Sequence, residues 1–112
     1  MADHYYDRED LGRFAEIGKN SPDLAAKFFE WYGAVFADGA LSAREKSIIA
    51  LAVAHAVQCP YCIDAYSRDS LEKGADLDQM TEAVHVAAAI RGGSSLVHSV
   101  QMLEHVHKQV MA

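Results

Sequence analysis

The chain holds two cysteines, and they stand three residues apart as Cys59-Pro60-Tyr61-Cys62. A bridge across so short a loop removes little chain entropy, so stapling alone is a weak reason for the pair. Chemistry is the stronger one. The thiolate is the reactive form of cysteine, and its surroundings decide how much of it is present. Pro60 suits the first position of a helix, which places Cys59 at the N-cap and Cys62 at the third helical position. Both then lie in the first turn, where unpaired N–H groups and the helix dipole favour negative charge. Lowering a thiol pKa from about 8.5 to about 6.5 raises its thiolate share at pH 7 from roughly 3% to roughly 75%. The spacing also sets the sulfurs on one face, close enough to bridge without large backbone movement. The pattern reads as a redox motif.

Two other readings stay open at this level, half of a zinc site and an inert structural pair. Zinc needs two further ligands. His105 and His107 are two apart and face different ways, whereas His98 and His105 share a face with nothing to bring them to the cysteines. Haem attachment is excluded, because Ile63 stands where that motif requires histidine. A candidate proton carrier is His55, four residues before Cys59 on the face of Ile48 and Leu51; its pKa range suits proton transfer, and a hydrogen-bonded core role is the alternative. Arg91 offers a charge for an anion or a partner for a helix C-terminus.

Helical periodicity runs almost throughout and positions these groups. Leu11, Phe14, Ala15 and Ile17 mark a first short amphipathic helix, and Ser21-Pro22 opens a second that carries Leu24, Phe28, Trp31, Tyr32 and Val35. The aromatic stripe Phe28, Trp31 and Tyr32 reads as core or subunit interface rather than a substrate platform. Ser42-Ala43-Arg44-Glu45 is a capping-box pattern, which accounts for Glu45 and starts a third helix through Val57. That helix is apolar around most of its circumference and reads as buried. A fourth runs from Pro60 to about Lys73 with Gly74 as its cap. Asp76-Leu77-Asp78-Gln79 opens a fifth, Arg91-Gly92-Gly93 is expected to end it, and a sixth runs from about Ser94 or Ser95 to Val110. The small residues Ala87, Ala88 and Ala89 permit close helix approach. No strand pattern of useful length interrupts, so the class is all-α, one domain over residues 1–112.

Composition bounds the partners. The 112 residues are 51% hydrophobic, and 10 Lys+Arg against 16 Asp+Glu leave a net charge of −6. That balance, with no basic cluster, argues against nucleic acid. The N-terminal Met1-Ala2-Asp3-His4 shows no leader pattern, and the longest apolar run, Ile48 to Val57, is too short to span a membrane. A cytoplasmic chain is the expectation. A chain of this size buries roughly two-thirds of its unfolded surface, so a partner copy would help its core.

Several blocks in order resemble one family: Arg44-Glu45-Lys46-Ser47-Ile48-Ile49-Ala50-Leu51-Ala52-Val53, then Cys59-Pro60-Tyr61-Cys62-Ile63, the Gly74 turn, Glu82-Ala83-Val84 and Arg91-Gly92-Gly93. Across about residues 20–105 the chain is similar to the carboxymuconolactone decarboxylase / alkylhydroperoxidase AhpD-like family. The resemblance implies a helical fold assembling as homo-trimers or hexamers, and thiol-dependent reduction of hydroperoxides (peroxiredoxin activity) without a cofactor. It further implies that Cys62 attacks the peroxide, that Cys59 resolves the product, and that an external dithiol recharges the pair. The family pattern carries Glu twelve residues before the first cysteine and His four after the second. Here those positions are Ser47 and Tyr66. Neither is a general base near neutral pH, since a phenol titrates near 10. Tyr66, one turn beyond Cys62, still has a hydroxyl to donate to a thiolate or a peroxide oxygen. The stretch from Cys59 through Ile63-Asp64-Ala65-Tyr66 resembles that of members linked with arsenosugar metabolism. The residues expected to carry the chemistry are Cys62, Cys59, Tyr66 and His55, with no metal. A thiol–disulfide oxidoreductase lacking peroxidase activity, and a non-enzymatic redox-sensing or metal-binding oligomeric module, are the alternatives.

Overall fold

Local signals set the helix boundaries in the computed structural model, which describes residues 7–111. Asp7 caps α1 (Arg8–Leu11) by accepting from the Glu9 amide at 3.0 Å. A 3₁₀ turn, Phe14–Gly18, follows, so the single first helix expected around Leu11 to Ile17 is instead two pieces meeting near Gly12. Helix α2 (Pro22–Phe36) has proline in its first turn, although the Ser21 side chain makes no capping bond. At α3 (Ala43–Ala56) the capping box is complete: Ser42 Oγ accepts from the Glu45 amide at 3.0 Å and Glu45 Oε1 accepts from the Ser42 amide at 2.9 Å. The Ser42 amide, and then the Ser42 hydroxyl, hold the Glu45 carboxyl below its usual range.

The two joints that follow are built alike. Beyond α3, the Cys59 amide reaches the Ala54 carbonyl at 3.0 Å and the Gln58 amide reaches that of His55 at 3.2 Å, with Gln58 left-handed at φ 58°. Beyond α4 (Pro60–Glu72), Ala75 and Gly74 repeat the pattern onto Ser70 and Leu71, with Gly74 at φ 90°. Both are Schellman turns, which satisfy the last carbonyls of a helix while reversing the chain. Asp76 and Gln79 then cap each other reciprocally at 2.8 and 3.1 Å to start α5 (Leu77–Met111).

Helix α5 runs unbroken through Arg91-Gly92-Gly93, contrary to the expected end there. A glycine cap needs positive φ, which among the described glycines Gly74 alone adopts. Two glycines in a helix interior cost about 1 kcal/mol each, which the long flanking helix absorbs. Arg91 serves a different terminus: its guanidinium donates to the Ala56 carbonyl at 2.7 Å, capping α3.

Helix α3 packs on α4 and on the first half of α5. The shared core holds Leu51, Ala54, Ala75, Met80, Ala83 and Ala87, with Ile48 and Tyr66 against it. The other face of α3, with Ile49, Val53 and Val57, is open, so this helix is not buried all round as its composition suggests. No helix of the described residues is long and apolar enough to cross a membrane.

Candidate active site

The chemistry converges on the start of α4. Because the Schellman turn at Gln58 ends α3 at the residue where α4 begins, Cys59 closes one helix and caps the next. Its Sγ accepts from the Cys62 amide at 3.3 Å, the interaction an N-cap side chain makes. The sulfurs of Cys59 and Cys62 are bridged, with Cα atoms 5.3 Å apart. The same N–H that touches the bridge is positioned to favour a thiolate at Cys59 after reduction.

Helices α2 and α4 diverge around this pair and leave a cavity of about 550 Å³, whose lining includes Cys59, Cys62, Tyr66, Phe29 and Tyr32. A second cavity of about 410 Å³, between α2 and α3, also reaches Cys62 and Tyr66 but not Cys59. Cys62 is therefore the cysteine that borders both cavities.

Tyr66 stands one turn beyond Cys62, and its hydroxyl meets that of Tyr32, both residues lining the cavity. The Phe36 ring stacks on Tyr66 at 5.0 Å and 19°. Burial first, then the hydrogen bond to Tyr32, pushes the Tyr66 hydroxyl far above the ordinary phenol value. It stays a proton donor throughout the neutral range. Tyr32, read from sequence as core or interface, is thus part of the site. Its separation of 34 residues from Tyr66 leaves no local signal to find it.

Ser47, at the position of the family glutamate, is fully buried and meets Ser70 Oγ at 3.1 Å. A carboxylate does stand nearby, contributed by α4. Burial opposes ionisation of Asp69, yet the Lys73 ammonium, donating to it at 2.5 Å, and then the neighbouring Ser47 hydroxyl hold its carboxyl below the usual range. That negative charge in turn helps keep Tyr66 protonated. The spacing of Cys62, Tyr66, Asp69 and Lys73 follows one face of α4, which is the signal by which Asp69 is legible.

His55 is placed apart. Its Nδ1 bonds the Leu51 carbonyl at 2.8 Å, one turn back on its own helix, and the residue lines neither cavity that opens on Cys62. Of the four expected site residues, the structure gathers Cys59, Cys62 and Tyr66 and leaves His55 outside. Among the described residues, no three His, Cys, Asp or Glu side chains gather as metal ligands would.

Fold and site together define a helical protein with a bridged Cys-x-x-Cys at a helix start, beside an apolar cavity. The carboxymuconolactone decarboxylase family matches residues 22–105, and the chain belongs to that family. The family includes AhpD-like peroxidases. An uncharacterized protein in the cox locus of Paracoccus denitrificans is 40% identical over 93 residues, covering 83% of this chain and 81% of that one. A crystal structure from Methanobacterium thermoautotrophicum aligns with TM-score 0.72 at 33% identity, covering 75% of this chain and 94% of its own. The apo form of a carboxymuconolactone decarboxylase family protein from Legionella pneumophila aligns with TM-score 0.68 at 31% identity, over 90% and 91%.

Proposed function

We propose that the chain is a thiol peroxidase. The reading rests on one observation above the rest: a bridged cysteine pair at a helix N-terminus borders an apolar cavity whose lining includes Tyr66 and Tyr32, two residues joined through their hydroxyls. In the reduced protein the Cys62 thiolate attacks the terminal oxygen of a hydroperoxide. The O–O bond breaks, sulfur is oxidised to sulfenic acid, and the peroxide is reduced to an alkoxide that takes up a proton and leaves as an alcohol. Tyr66, hydrogen-bonded to Tyr32, is positioned to steady that leaving oxygen as a donor. The Cys59 thiolate, favoured by the Cys62 amide, then displaces hydroxide from the sulfenic acid; the hydroxide takes up a proton and leaves as water, and the bridge is restored. An external dithiol reduces it by thiol–disulfide exchange and is itself oxidised to a disulfide.

Peroxide consumption with excess dithiothreitol tests this. The wild type should turn over a hydroperoxide, and Cys62→Ser should bring consumption to the background rate. Turnover retained in Cys62→Ser would remove Cys62 from the role.

A second reading has its own support. The amide donated to Cys59 Sγ is what an exchange-active thiolate needs, and among the described residues no imidazole lines the cavity with Cys62. A thiol–disulfide oxidoreductase would reduce insulin disulfides at a rate set by Cys59 while leaving hydroperoxides untouched.

A further inference from the structure

Two residues of the cysteine motif, Tyr61 and Asp64, take no part in the proposed chemistry, and both hold the N-terminal segment in place. The Tyr61 hydroxyl donates to Asp10 Oδ2 at 3.1 Å, and Arg8 Nε pairs with Asp64 Oδ2 at 3.1 Å, docking α1 onto α4. At the other end, the 3₁₀ turn is seated on α2. The Phe14 ring meets Phe29 edge-on at 5.0 Å and Phe28 at 6.1 Å. Segment 8–18 therefore bridges α2 and α4 and adds Leu11, Phe14 and Ile17, with Asp10 and Arg13 beside them, to the lining of the cavity that the cysteines border. It lies before Pro22, where the family match begins. Without it, the disulfide would face an open cleft.

The result is a chamber much larger than the smallest peroxide needs. Its volume of about 550 Å³ lies in the range that accepts organic ligands. A molecule the size of water occupies only about 30 Å³ of liquid volume. Its walls are mainly apolar or aromatic, so an apolar body gains by leaving water there while hydrogen peroxide gains nothing from the same surface. We infer that segment 8–18 is a substrate-selecting wall that fits the cysteine chamber to hydroperoxides with an apolar, aryl-sized body and disfavours hydrogen peroxide. This inference rests on the peroxidase reading for its chemistry, and its test separates the two.

The selectivity is read as kcat/KM for cumene hydroperoxide over that for hydrogen peroxide, with dithiothreitol as reductant. The wild-type ratio should exceed ten, and F14A/I17A should lower it about tenfold, because pocket contacts of this size discriminate at that level. A wild-type ratio near one, or a variant in which both rates fall together and the ratio holds, overturns the wall. Should F14A/I17A fail to fold, Tyr61→Phe loosens the tether without removing a ring, and the ratio should fall at least twofold; an unchanged ratio again overturns the proposal. If the wild type consumes neither peroxide, the peroxidase reading fails by itself. The wall is then judged by cumyl alcohol, which should slow iodoacetamide alkylation of the reduced wild type and have a lesser effect on F14A/I17A or Tyr61→Phe. Equal protection of wild type and variant, or none in the wild type, overturns it.

Discussion

Tyr66 and Tyr32 bring two hydroxyls to a site where the family pattern carries an imidazole, and a phenol does different work from a histidine. It donates and does not collect a proton near neutral pH. In the proposed peroxidase its benefit would therefore fall on the oxygen that leaves, and the deprotonation of Cys62 would be left to the helix terminus. Tyr66→Phe is expected to lower kcat/KM for a hydroperoxide by about 10–100-fold, with Tyr32→Phe somewhat milder and the double variant less than additive. Steady-state rates for the three proteins check this. Titration gives a second handle. Burial and the hydrogen bond to Tyr32 raise the Tyr66 pKa above that of an unfolded tyrosine near 10. The neutral hydroxyl thus contributes stability that is full below about pH 10 and is lost as pH rises through the folded-state value. In ultraviolet titration Tyr66 should ionise after Tyr61, whose pKa burial and then Asp10 also raise, and Tyr66→Phe should remove that last step.

Sequence patterns made some of these residues visible and hid others, for a physical reason. Cys59 and Cys62 lie within one helical turn, so their relation is local and legible. Asp69 is missed from sequence, although its i+3 spacing from Tyr66 on α4 is a local signal that points to it. Tyr32 has no such signal, because its meeting with Tyr66 depends on how α2 crosses α4. His55 has the right chemistry and spacing, but its ring nitrogen is satisfied by the Leu51 carbonyl.

Among the elements, the joint between α3 and α4 matters most to the site. Gln58 holds a left-handed conformation so that Cys59 can end one helix and cap the next. A residue with a Cβ pays about 1–2 kcal/mol there, against about 0.5–1 kcal/mol of extra chain entropy for glycine. Gln58→Gly should therefore stabilise the protein by about 0.5–1 kcal/mol, seen as a rise of a few degrees in Tm, with the bridge still formed. Helix α5 teaches the opposite lesson. Arg91-Gly92-Gly93 has the composition of a helix end, yet glycine only permits a left-handed cap and does not compel one. The pair is passed through because helical residues flank it on both sides, and Arg91 is drawn instead to the end of α3.

Taken as a whole, the molecule is longer than its chain length warrants. A domain of this size has a radius of gyration near 13 Å by the usual scaling, and here it is 19.4 Å, with extents of 59 × 37 × 37 Å. Helix α5 alone spans about 52 Å. On its second half Leu96, Val97, Val100, Leu103 and Val106 are all more than half exposed, and the open face of α3 is apolar too. Four of the six buried apolar residues named in the core are alanines. So thin a core beside so much open apolar surface predicts homo-oligomer assembly along α5. Light scattering after size exclusion should give a multiple of the 12.3 kDa chain mass, and charges at Val100 and Leu103 should shift it toward the monomer. A monomeric wild type would contradict this.

The proposed chemistry turns on which sulfur meets the peroxide. In Cys59→Ser the resolving step is absent, so the product of attack has no partner and persists as a sulfenic acid. One equivalent of cumene hydroperoxide followed by dimedone, read by peptide mass spectrometry, should place a stoichiometric adduct on Cys62. An unmodified Cys62 thiol after that treatment would contradict the account.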